Sequence, residues 1–89
     1  MSGEAEIKTG RERYMVVLRA LTDGQATVIS EGETFEHQAT AEYIVMNMMT
    51  RAEVLRWADR VKPSSKRVDC ALIDRETRLT LKIGVRVTL

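Results

Sequence analysis

Residues 78–89, RLTLKIGVRVTL, alternate without a break. Leu79, Leu81, Ile83, Val85, Val87 and Leu89 fall on one side, and Arg78, Thr80, Lys82, Gly84, Arg86 and Thr88 on the other. A period of two is the pattern of a β-strand with one face in an apolar core and the other in water. The stretch therefore predicts a strand that runs to the last residue, and its length decides the fold class. Arg67 to Ile73 reads as its partner, with Val68, Cys70 and Leu72 on one face and the polar turn Asp74-Arg75-Glu76-Thr77 between the two.

A second hairpin lies nearer the N-terminus. Tyr14 to Leu21 (YMVVLRAL) is rich in β-formers. It is followed by Thr22-Asp23-Gly24-Gln25, and Asp-Gly between two apolar runs signals a tight turn because Gly accepts positive φ at no cost. Ala26 to Ile29 reads as the return strand, with an extension past the breaker Gly32 to Phe35 left open. Residues 1–13 are polar and aperiodic and read as a mobile arm, which leaves residues 14–89 as a single domain.

Between the hairpins, Thr40 to Lys62 reads as helical and is ended by Pro63, which pushes its predecessor out of helical geometry. No Gly or Pro interrupts it, which favours one long helix. Thr50-Arg51-Ala52-Glu53 nevertheless matches a capping box and would start a second helix if the first broke near Met49. The order is ββαββ, an α+β fold in which an antiparallel sheet carries helix on one face.

Wound as one continuous helix, this segment has two apolar stripes. Ala41, Ile44, Val45, Met48, Ala52, Leu55 and Ala58 form a face suited to the sheet. Tyr43, Met46, Val54, Trp57 and Val61 form another; with Asn47 and Thr50 it follows the four-three spacing by which one helix packs on another. The second stripe predicts an interface of Tyr43, Met46, Thr50, Val54, Trp57 and Val61, most simply with a second copy of the chain and with Trp57 as anchor.

The chain has 89 residues, 44% of them apolar and 30% charged, as expected of one small globular domain. Domains of this size bury only about 60–65% of their unfolded surface, so association often supplements their stability. Charge is unevenly spread. Residues 1–49 hold four Lys/Arg against eight acids, and residues 50–89 hold ten against five, so a net charge of +1 conceals an acidic half and a basic half. Such a chain suits pairing with itself or an anionic partner. The lone Cys70 rules out an internal disulfide and, with no apolar leader near the N-terminus and no apolar run long enough to span a bilayer, points to the cytoplasm.

Motifs for chemistry are missing. One Cys and one His cannot complete a zinc site, and His37 has no supported nucleophile beside it, since Ser30 and Cys70 carry no motif. Gly24, Gly32 and Gly84 form no phosphate-binding pattern, and Glu31/Glu33 and Asp74/Glu76 sit at turns where carboxylates are normally exposed. The expectation is a non-enzymatic protein-interaction module with no cofactor or metal. By analogy of type, small motif-free domains like this are common among accessory regulators and inhibitors carried by phages and mobile elements. The alternative is a dimeric nucleic-acid-binding regulator that uses Arg67, Arg78, Lys82 and Arg86 on the outer face of the last hairpin. Against it stand Asp69, Asp74 and Glu76 in the same hairpin, and the lack of aromatics on its last strand.

Overall fold

The computed structural model describes residues 12–89. Its elements are β1 (Tyr14–Thr22), β2 (Gln25–Phe35), α1 (Gln38–Tyr43), a π-helical turn (Ile44–Met48), α2 (Arg51–Val61), β3 (Arg67–Asp74) and β4 (Thr80–Thr88). The four strands form one antiparallel sheet in the order β2-β1-β3-β4. The α+β reading therefore holds. The arm expected over residues 1–13 does not extend to its last two residues: Glu12 and Arg13 are tied into the fold, because Thr34 Oγ1 donates to Glu12 Oε1 at 2.5 Å and Arg13 pairs with Asp74. The expectation for residues 1–11 lies outside the described residues.

The first hairpin turns where Asp-Gly predicts, with Asp23 at φ 42° and Gly24 at φ 81°, two successive positive values that match the twist of the flanking strands. Beyond it β2 runs unbroken past Gly32 to Phe35. The central strands β1 and β3 pair without irregularity from Tyr14 opposite Asp74 to Ala20 opposite Val68. Both edge strands, in contrast, are bulged twice. β2 carries an extra residue between the partners of Met15 and Val17 and another between those of Leu18 and Arg19; β4 does so opposite Asp69/Ala71 and Leu72/Ile73. Bulges increase twist and blunt an exposed edge against unwanted pairing.

The bulges correct the reading of the last strand. Each shifts the phase by one residue, so the alternation of residues 78–89 does not survive as two clean faces. Val87 is in the core beneath the helices, and Leu81 and Val85 pack against it. Ile83 pairs with Ala71 on the opposite face and is 49% exposed. Leu79 precedes the strand, and it and Leu89 are exposed.

The helical segment also differs from a single rod. It breaks at Met49 (φ −86°, ψ 79°) and restarts at Thr50, whose Oγ1 accepts from the Glu53 amide at 3.3 Å. Half of the capping box thus outweighs the absence of a helix breaker. The restart and the preceding π turn, closed by Met49 N–H to Ile44 O, rephase the side chains. Val54, expected at an interface, becomes fully buried in the core with Ala41, Val45 and Ala58, while Met48, expected in the core, is 54% exposed. At the far end Lys62 takes a left-handed conformation (φ 55°) just before Pro63 and closes the helix through Ala58 O.

The helical segments come close to the sheet at glycines in the edge bulges. A Cβ on Gly84 would lie 2.9 Å from Val45 Cγ1, and one on Gly32 would lie 2.9 Å from both Trp57 Cη2 and the Val16 carbonyl oxygen. The indole is packed on the core and tied to Ser30, and the carbonyl belongs to a central strand, so neither yields freely. Gly32→Ala is expected to lower stability by about 1–3 kcal/mol, as overpacking does. Urea unfolding should show a lower midpoint at unchanged slope. An unchanged midpoint would mean that the bulge opens freely.

Candidate functional site

Residues directly opposite each other in an antiparallel sheet share a face, so the register spells out the side turned away from the helices. Across the strands its rows read Thr34–Met15–Ile73–Thr80, Glu31–Val17–Ala71–Ile83 and Val28–Arg19–Asp69–Arg86. This face was expected to be polar and solvated. Instead Met15, Val17 and Ala71 form a second apolar cluster, with Ile73 packed against it. Towards the edges, Val28 and Ile83 are 40% and 49% exposed. Among the described residues the helical core positions all pack on the other side, against Val16, Leu18, Val68, Cys70 and Leu72.

An ion pair sits in this apolar surface. Arg19 Nε and a terminal guanidinium nitrogen donate to the two Asp69 oxygens at 2.8 and 2.7 Å, and Asp69 is wholly buried. Both charges leave water, and the two-pronged geometry is what makes that tolerable. A second pair closes the end of the sheet. Arg13 Nε and a terminal nitrogen donate to Asp74 at 3.0 and 2.7 Å, while Asp74 Oδ1 also accepts from the amides of Glu76 and Thr77. Asp74 thereby organises the loop to β4, in which Arg78 adopts φ 66°. The turn carboxylate expected in solvent is instead 3% exposed.

Sequence pattern did not reveal these two pairs. A signal was present: β1 and β3 are apolar on both faces, and between its end residues each carries a single charge, of opposite sign, Arg19 and Asp69. Two lone opposite charges in buried strands imply each other.

The expected interface residues are divided. Tyr43 and Met46 are 60% and 52% exposed, and Thr50 is exposed at the helix break. Val54 lies in the core, and Trp57 and Val61 pack against it. Trp57 Nε1 donates to Ser30 Oγ at 2.9 Å, so the expected anchor of a dimer is engaged with its own β2. The reason is the break at Thr50, after which no continuous second stripe exists.

The four basic residues are divided as well. Arg67 and Arg86 line one trough with Arg19, Leu21 and Ile83, whereas Arg78 lines another at the opposite end of the sheet with Arg75 and Asp74. Lys82 stands opposite Leu72, a residue of the helix-side core. The bulges explain this too: a phase shift between Lys82 and Thr80 and another between Arg86 and Ile83 remove the common face.

His37 precedes α1 with its ring exposed, its Nε2 3.6 Å from Glu36 Oε1. Cys70 is fully buried, as alternation predicts, and burial, with Asp69 next to it, pushes its thiol up to about 12. Among the described residues no group of three or more His, Cys, Asp or Glu is placed to hold a metal, and no helix is long and apolar enough to cross a membrane. No family of known proteins, curated protein or solved structure matches the chain.

Two outcomes follow from the buried polar groups. The Arg13 guanidinium, aided by the two loop amides, holds the Asp74 carboxyl well below the usual carboxylate range despite its burial. A carboxylate depressed in the folded state stabilises fully above its unfolded value of about 3.9 and loses that contribution progressively as pH falls from there through the lower folded value. The denaturation midpoint should be level at neutral pH and fall below about pH 4, and Asp74→Asn should lower the plateau and flatten the acid limb. A variant that keeps the wild-type acid limb would show that another carboxylate is responsible. Cys70 should resist thiol reagents in the native protein and react only at the rate of opening. Rapid stoichiometric labelling without denaturant would contradict its burial.

Proposed function

We propose that this chain is a small, non-enzymatic protein-interaction module, acting in the cytoplasm as an accessory regulator or inhibitor, and that the sheet face opposite the helices is its contact surface. One observation carries this reading. The edge residues Val28 and Ile83 stand exposed on either side of the buried Met15/Val17/Ala71 cluster, so apolar side chains reach solvent at both edges of that face. Exposed apolar side chains among charged ones are a feature of protein-binding surfaces.

The state of the ionisable groups supports the absence of chemistry. Asp69 and Asp74, the buried carboxylates, are each engaged by an arginine, and the Cys70 thiol is held protonated in the core. None is free to act as a base or nucleophile. Nucleic acid is the less favoured partner. Arg67 and Arg86 share a trough, but Arg78 and Lys82 lie elsewhere, and the aromatic residues Tyr14, Phe35 and Trp57 pack on the helix side. A basic stripe with a stacking platform is therefore not assembled on that face.

The comparison of two variants in protein capture tests the reading. Ile83→Asp places a charge in the proposed surface at a half-exposed position, and Met46→Asp does the same on the helical segment. A partner retained by the wild type and by Met46→Asp but lost with Ile83→Asp is the expected result. Duplex DNA or RNA bound at micromolar concentration near about 150 mM salt, with a steep salt dependence, would instead favour the nucleic-acid reading.

A further inference from the structure

We infer that the trough beside the β1–β2 turn on this face is an anion site, and that it receives a carboxylate from an extended acidic segment of the partner protein. The inference rests on the reading of the face as a protein-contact surface and names the chemistry of what it contacts.

The trough, about 320 Å³ in volume, is bordered by Arg19, Arg67 and Arg86, with Leu21 and Ile83 between them and the turn at one side. Register brings the three arginines together. Arg86 and Arg19 both stand opposite Asp69, and Arg67 is two residues before Asp69 on a strand without bulges, so all three lie on one face in adjacent rows. Charge is not balanced there. Arg19 occupies both oxygens of Asp69, at 2.8 and 2.7 Å. Arg67 and Arg86 are exposed, and neither guanidinium has an ion-pair partner among the described residues. Asp23 of the turn does not border the trough, and Glu31 stands on β2, three strands and about 14 Å across the sheet from β4. Three arginines against one carboxylate leave a surplus of two positive charges.

Arg19 distinguishes this trough from a pair of solvated arginines. The residue is only 8% exposed, and its Nε and Nη2 are committed to Asp69. Its remaining nitrogen, Nη1, has no partner among the described residues, none of which seals a side-chain nitrogen from solvent without one. The trough is where Arg19 meets solvent. A donor already fixed by a buried ion pair needs no ordering when a ligand arrives, and guanidinium forks match carboxylates in two-pronged geometry.

The apolar neighbour selects the kind of acid. Ile83 is 49% exposed one row from Arg86, about 7 Å along the strands. Side chains two residues apart on an extended segment have that same spacing, so an acid and the apolar residue two positions along seat on Arg86 and Ile83 together. A nucleic-acid backbone needs cations repeated along a track. Here Lys82 stands opposite the helix-side Leu72, and Arg78 lines the trough at the opposite end of the sheet.

Titration of the isotope-labelled protein with blocked hexaglutamate, followed by NMR at the arginine Nε–H resonances, tests the site; hexaglutamine is the neutral control. Saturable shifts at Arg19, Arg67 and Arg86 are expected with hexaglutamate alone. Arg67→Gln combined with Arg86→Gln should weaken binding at least about tenfold, the loss of two charge-assisted contacts. Arg78→Gln combined with Lys82→Gln removes the same charge elsewhere and should change it less than about twofold, because salt screens distant charges. Equal losses in the two double variants, or no saturation, would overturn the site. Duplex DNA bound more tightly than hexaglutamate at equal salt, and lost with Arg67 and Arg86, would overturn the acidic protein segment as its ligand. The contact face is judged separately by protein capture. Capture lost with Ile83→Asp but unmoved by the Arg67/Arg86 changes would overturn the acidic segment alone. Capture that ignores Ile83→Asp would overturn the contact face and, with it, a protein as the carrier of the anion.

Discussion

The uninterrupted ladder between β1 and β3 is the constraint on which the rest of the molecule depends. Its seven facing pairs run from Tyr14 opposite Asp74 to Ala20 opposite Val68. A slip of one residue would turn every side chain of one strand to the wrong face. The ladder carries its own lock against that error, since Arg19 and Asp69 meet only in this register. A mispaired sheet would leave two charges buried without partners. A buried ion pair adds little net stability over an apolar pair of equal size, whereas leaving one charge alone is strongly unfavourable. The pair therefore specifies the register more than it strengthens the sheet. Arg13 and Asp74 repeat the device at the end of the ladder, where Asp74 also shapes the loop into β4.

Irregularity is confined to the edges, and it has uses there. One bulge of β2 and one of β4 fall where Gly32 and Gly84 allow close approach, by Trp57 and Val45 respectively. The helical segment is thus seated on backbone at both margins of the sheet. Its own break at Met49 and Thr50 lets one part present Val45 to β4 and the other present Val54 and Ala58 to the core. A continuous helix of the same length would keep one phase throughout and turn Val54 away from the sheet.

Two-sided burial of β1 and β3 links the architecture to the proposed role. Strands that are apolar on both faces normally lie in a sheet covered on both sides. Here the helices supply one layer, and the described residues supply no helix or strand for the other. The acidic half and basic half of the chain become the two outer edges of that sheet once the strand order is β2-β1-β3-β4.

By itself the sequence determined the element order, the Asp-Gly turn, the stop at Pro63 and the burial of Cys70. These are local matters of backbone preference and short-range alternation, readable wherever neighbouring residues decide the outcome. The capping box at Thr50 signals the helix break, but without a Gly or Pro the pattern favours one helix, and only packing decides between them. Only the tertiary structure decided which face each side chain occupies after a bulge, that Ile83 and not Lys82 joins the far face, that Trp57 serves its own core, and that Arg19 finds Asp69 across fifty residues of chain. Bulge positions depend on how closely a helix can approach a neighbouring strand, and a buried charge depends on what stands opposite. Both are set by pairings distant along the chain, which a local pattern does not contain.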